Sequence, residues 1–185
     1  EGVIAAETKV SSIIDSQLTY AGYDIDDLAQ NAEFEEVIYL LWHYRLPNEE
    51  ELKELKEKLF EYMILNPRVY SHFKEYATGN VHPMTALRTS VSYIAHFDEH
   101  AEDEDESRTM ERAIRIQAKI ASLVTSYARV REGKEAVKPN KDLNYAGNFL
   151  YMLRGELPSD IEIEAFNKAL VLHADHELNA STFTA

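Results

Sequence analysis

An all-α fold with a small N-terminal β layer is what this 185-residue sequence predicts, on three observations. From residue 34 onward, apolar residues recur at i, i+3, i+4 and i+7, the period of one helix face. Proline, asparagine and glycine fall at intervals suited to starting and stopping helices rather than strands. Only residues 1–30 break this pattern, with short β-branched runs interrupted by turn residues.

The opening stretch contains Val3-Ile4-Ala5-Ala6, Ser12-Ile13-Ile14 and Leu18-Thr19-Tyr20, broken by Asp15-Ser16 and Gly22. It reads as two or three small strands in a hairpin-like layer, which is marginal alone and must pack on something else. Residues 31–185 then form the helical part. Phe34, Val37, Ile38, Leu41 and Tyr44 make one stripe, ended by Pro47. Asn48 is a good N-cap, and Glu49, Glu50 and Glu51 suit the positive end of a helix dipole. Leu52, Leu55, Leu59 and Met63 give that helix its buried face before Pro67 stops it.

A short helix is expected to hold Val69, Tyr70, Phe73 and Tyr76, with Gly79 as its C-terminal cap. Pro83 belongs in a first turn, ahead of an apolar face of Met84, Leu87, Val91, Ile94 and Ala95. The acidic segment 98–106 carries seven carboxylates in nine residues, a self-repelling block expected to be an exposed connection. It lacks the alternating ligand spacing and the glycine of a calcium loop. Ser107 is expected to cap a long helix to Arg131, with Met110, Ile114, Gln117, Ile120, Val124 and Tyr127 on one side and Gly133 at its end. After a polar loop at 134–141, Asp142 is expected to start a helix bearing Ala146, Phe149, Leu150 and Leu153, stopped by Gly155. Pro158-Ser159-Asp160 opens the last helix, with Ile163, Phe166, Ala169, Leu170 and His173 on one face.

Composition excludes several functions. Thirty-three Asp plus Glu against 19 Lys plus Arg leave a net charge of −14, which argues against a nucleic-acid backbone or an anionic membrane as partner. The six glycines include no G-x-G-x-x-G and no Walker loop. With no cysteine there is no disulfide framework, no thiolate zinc site and no thiol nucleophile. Neither a membrane-length apolar run nor a signal peptide is present, so the expectation is a soluble, cytoplasmic protein. The chain starts at Glu1 without Met and stops just after its most suggestive segment, so a fragment is expected.

That segment is His173-Ala174-Asp175-His176-Glu177-Leu178-Asn179. On a helix, His173 and His176 would share a face one turn apart. Three readings stand side by side: a polar helix end capped by Asn179; a metal site, although His-Glu-x-x-His spacing is absent; and a site for an anionic substrate. In the third, Asp175, Glu177 and the helix C-terminus favour a protonated His176, able to donate from both ring nitrogens. His43, His72, His96 and His100 are expected to be surface or boundary residues, and His82 a helix-entry residue.

The string Leu172 to Phe183 closely resembles a signature of bacterial and archaeal citrate synthases. Matching stretches fall in the same order: Glu1 to Thr8, Tyr20 to Ile25, Phe34-Glu35-Glu36-Val37 leading to Leu46-Pro47, His82-Pro83-Met84 with Leu87-Arg88-Thr89, and Asn148 to Leu153 with Gly155-Glu156. The resemblance covers the whole chain and implies a portion of that family's multi-helical large domain. It implies an acyltransferase that condenses acetyl-CoA with oxaloacetate and water to citrate and CoA, in the tricarboxylic acid cycle.

The family's Gly-Pro-Leu-His-Gly, Gly-x-Gly-His and later Asp motifs, which hold its main catalytic His and Asp, do not occur here. The chain therefore resembles the N-terminal half, with no catalytic residue of its own, no metal and no cofactor beyond acetyl-CoA as substrate, and it is expected to be inactive alone. By resemblance, His176 is the histidine that hydrogen-bonds oxaloacetate, Asn179 lies near the same site, and His173 stands behind them. The helices around 83–97 and 107–131 resemble those of the family's homodimer interface. The alternatives are a 2-methylcitrate synthase fragment and, from another class, a helical protein-interaction module.

Overall fold

A computed structural model describes residues 8–77, 81–101 and 105–175. The expectations placed on Val3 to Ala6, Gly79, His176 and Asn179 lie outside the described residues. Strands β1 (Ser11–Ile14), β2 (Gln17–Tyr20) and β3 (Tyr23–Asp24) form an antiparallel sheet in the order β1-β2-β3. The register pairs Ser11 with Tyr20 and Ser12 with Thr19. Asp15 and Ser16, then Ala21 and Gly22, all have positive φ, the backbone that a two-residue hairpin turn requires.

Eight α-helices follow among the described residues: α1 (Ile25–Asn31), α2 (Phe34–His43), α3 (Glu49–Met63), α4 (Pro67–Tyr76), α5 (Pro83–Ile94), α6 (Thr109–Arg131), α7 (Tyr145–Arg154) and α8 (Asp160–Leu172). The all-α expectation with a small β layer holds. Helix α1 is the element the strand-like reading of the first thirty residues did not include. It has one buried side chain, Leu28, and starts because Asp24 accepts from the amides of Asp26 and Asp27.

Start signals held where a cap could be read directly. Asn48 and Glu51 exchange side chain–backbone hydrogen bonds at 2.9 Å each, a capping box, and Arg45 fastens on Glu51 at 2.5 Å. Pro67 follows the capping Asn66, so it opens α4 rather than closing α3. His82 caps α5 through its Nδ1, as a helix-entry residue.

Two start signals failed. Ser107 sits in a 3-10 turn, Glu106–Arg108, its amide bonded to Asp105, and α6 begins after it without a side-chain cap. Asp142 lies in a turn, and the cap of α7 is Asn144, whose Oδ1 accepts from the Gly147 amide. In both places the more local hydrogen bond of a turn outcompeted the cap.

The described residues form two compact units, one within 1–55 and 160–185, the other spanning Lys56–Ser159. In the first, Tyr20, Leu28, Phe34, Val37, Leu40 and Val171 are buried, and α8 packs on α1 and α2. Burying each such large side chain stabilises by about 1.5–3 kcal/mol. In the second, Leu65, Val69, Phe73, Ala86, Ile94, Leu123 and Tyr127 make a core where α4, α5 and α6 meet. Buried Asn148 holds the 140–143 loop through three hydrogen bonds, two to Asn140 and one to the Leu143 carbonyl.

The α5 face differs from its expectation. Ala86, Ser90 and Ile94 are buried, whereas Met84 is 63% exposed on the rim of a groove of about 520 Å³ between α5 and α6. The acidic connection is also more structured at its start than its charge suggests. Asp98 is part-buried, paired with Arg115 at 2.7 Å and Lys119 at 3.4 Å.

Candidate substrate site at the end of α8

Helix α8 ends at Leu172 and His173 stands just past it; the face that His173 and His176 would share on a helix lies outside the described residues. The last turn tightens: the amides of His173 and Ala174 donate to the Leu170 and Val171 carbonyls at 3.2 Å each. His173 is exposed, and its Nδ1 lies 2.7 Å from the Ala169 carbonyl. A carbonyl oxygen only accepts, so Nδ1 carries a proton, and a neutral ring leaves Nε2 as an acceptor.

The chain leaves α8 through Asp175, which the β hairpin grips from one face. Ser11 and Tyr20 are cross-strand partners, so their side chains project from the same side of the sheet. Ser11 Oγ donates to Asp175 Oδ2 at 2.5 Å. Tyr20 Oη accepts from the Asp175 amide at 3.3 Å and donates to the Asp175 carbonyl at 3.4 Å. Tyr20 is 0% exposed, and burial, reinforced by the nearby Asp175 charge, pushes its phenol pKa up against the opposing backbone hydrogen bonds. The hydroxyl therefore stays protonated and keeps its donor.

Of the residues singled out from the sequence, His173 is thus at the exit of α8, and His176 and Asn179 follow the clamped Asp175 in the chain. Sequence reasoning missed Ser11 and Tyr20. Their signal was the need of a small hairpin for something to pack against. His82 caps a helix, His72 stacks on Tyr93 at 4.1 Å and His43 lies tilted against Tyr39 at 4.1 Å, all on other elements.

The class these observations define is one of fold: a mostly helical chain whose small β hairpin clamps the exit of α8. The family model described as citrate synthase, C-terminal domain, matches residues 1–185. Citrate synthase 2 of Bacillus subtilis is 57% identical over 185 residues, and the citrate synthase of Haloferax volcanii 49% over 190, each match covering all of this chain and 50% of the relative. The solved citrate synthase of Pyrobaculum aerophilum superposes with a TM-score of 0.86 at 34% identity, over 96% of this chain and 47% of that one. This chain belongs to the citrate synthase family. It spans about half the length of the curated relatives it matches.

Proposed function

We propose that the chain is the oxaloacetate-holding portion of an enzyme that condenses acetyl-CoA with oxaloacetate and water to citrate and CoA. What carries the reading is the clamped exit of α8: Ser11 and Tyr20 hold Asp175 directly ahead of His176. His176 would donate to the oxaloacetate carbonyl or a carboxylate, a bond to a charged partner worth about 1.5–3 kcal/mol. Asn179 would add a neutral donor three residues on. His173, held by Ala169, would orient the turn rather than touch substrate. Acetyl-CoA is favoured over propionyl-CoA because the Bacillus subtilis and Haloferax volcanii relatives are both named as citrate synthases.

The 185 residues contain none of the family's glycine-flanked catalytic histidine motifs, so the chain alone would bind without turning over. Two copies would associate through α5 and α6, whose groove presents Met84, Leu87, Val124 and Tyr127 beside Arg131 and Glu132. The test is direct. The purified 185-residue chain should release no CoA from acetyl-CoA and oxaloacetate, and turnover would refute the inactive-half reading. In a chain of the relatives' full length that contains these residues, His176→Ala should raise the oxaloacetate KM. An unchanged KM and kcat would remove His176 from the site.

A further inference from the structure

We propose that an exposed apolar stripe on α8, formed by Ile161, Ala165 and Leu172, is the docking surface for the half of the enzyme that this chain does not contain; the proposal rests on the chain being part of a longer citrate synthase. At about 100° per residue the three positions fall along one side of α8, roughly a third of a turn from the side that carries Asn167 and Val171. That inner side is satisfied: α8 packs on α1 and α2, Val171 is buried, and Asn167 bonds Phe34 and Ala32. The outer stripe has no such cover among the described residues. Ile161 is 78% exposed, Leu172 is 46% exposed, and Ala165 is exposed between them.

Helix α3 shows the ordinary pattern of a surface helix: Leu55, Leu59 and Met63 are buried, while Lys53 and Glu54 are exposed. Helix α8, DIEIEAFNKALVL, carries apolar residues on nearly every side, yet Val171 is its one buried residue among the described ones. A helix that is apolar nearly all round belongs inside a larger core. The relatives supply the length for such a core, since this chain covers 50% of each. A second copy fits the stripe less well. Separate molecules that associate stably bury about 800 Å² each, which two large side chains and an alanine do not provide. A linked segment escapes that requirement, because linkage sets its effective concentration. A second copy would also bring another net charge of −14 against the first. The occupant is therefore an apolar face of the same longer chain, bordered by the Glu164–Lys168 ion pair at 2.6 Å.

The experiment uses a chain of the relatives' full length containing these residues. Ile161→Cys and, as an exposed reference on α3, Lys53→Cys are treated with a maleimide and read by mass spectrometry of the peptide bearing each thiol. The thiol at 161 should react about tenfold or more slowly than that at 53 in the native chain, and equally fast in urea. A diazirine-bearing leucine analogue at 161 should cross-link, on irradiation, to a peptide outside these 185 residues. Ile161→Asp should lower Tm by about 5 °C, because it sets a charge into a covered apolar contact. If that variant does not fold, the labelling and the cross-link decide. Equal reactivity at 161 and 53 overturns the proposal. A cross-link within the 185 residues, or to a second copy with doubled mass, overturns it too. A full-length chain that condenses acetyl-CoA with oxaloacetate while position 161 stays reactive refutes the docking surface alone. One that protects 161 and releases no CoA supports the docking surface and refutes the proposed activity.

Discussion

The side-chain amide of Asn167, on α8, caps the start of α2: its Oδ1 accepts the Phe34 N–H at 2.8 Å, while its Nδ2 donates to the Ala32 carbonyl at 2.9 Å. One side chain thus satisfies a backbone donor at the head of α2 and a backbone acceptor at the tail of α1, joining three helices of one unit. Asn167→Ala is expected to cost about 1–3 kcal/mol, since it leaves two part-buried backbone groups without this partner. Asn167→Asp should recover little of that loss, because it keeps the acceptor for Phe34 but sets a carboxylate oxygen against the Ala32 carbonyl. Urea denaturation of the three chains measures both, and equal stability of Asn167→Ala and the parent would refute the bridge.

Asp98 is expected to make stability depend on pH. Burial pushes its carboxyl up, but the His100 amide and the charges of Lys119 and Arg115 together outweigh it and hold the pKa below its ordinary value. A carboxyl whose folded pKa is depressed adds stability above its unfolded value, about 3.9. That contribution is lost as pH falls through the folded value. Asp98→Asn should therefore destabilise by about 2 kcal/mol at pH 7, and the gap to the parent should close in acid. A gap that persists undiminished below the folded pKa would show that packing, not charge, is responsible.

Gly155 and Gly133 separate two costs of a glycine substitution within one unit. Both have positive φ, 85° and 74°. A Cβ at 133 meets nothing within 4 Å, whereas one at 155 would lie 2.7 Å from Arg129 Nη1. Arg129 cannot swing away freely, because its Nε donates to the Glu135 carbonyl at 2.7 Å and its Nη1 to that of Leu153 at 3.3 Å. Gly133→Ala should cost about 1 kcal/mol for the left-handed backbone alone, and Gly155→Ala measurably more. Equal losses in chemical denaturation would mean that Arg129 yields without cost.

Met84 tests the proposed self-association. Its side chain is 63% exposed beside the α5–α6 groove, so Met84→Asp should leave the fold intact. In a chain of the relatives' full length, light scattering should report a shift from dimer toward monomer. A dimer that survives Met84→Asp and Leu87→Asp together would move the interface elsewhere.

The elements most legible in the sequence were those fixed by near neighbours. Asp15-Ser16 turned the hairpin because short polar side chains tolerate a left-handed backbone. Asn48 with Glu51, Pro83 after His82, and Gly155 marked helix ends through bonds within one turn of themselves. Less legible was anything needing a distant partner. Asp98 looked like part of a solvated acidic block until Arg115 and Lys119 arrived from the next helix. Helix α1 has seven residues and one buried side chain, too little for a period to register. The candidate site divided the same way: the histidines stood out by spacing, and the residues that clamp Asp175 between them did not.

Helical periodicity, caps and the absence of cysteine were enough to establish a helical chain with a β hairpin, and the Leu172–Phe183 string was enough to point to its family. These are properties of residues a few positions apart. That Ser11 and Tyr20 meet Asp175 depends on bringing together residues 164 and 155 positions apart. No local preference encodes such a meeting. Tyr20 and Val171 are both buried within one compact unit, and the two hydroxyls of the hairpin reach the end of α8 there.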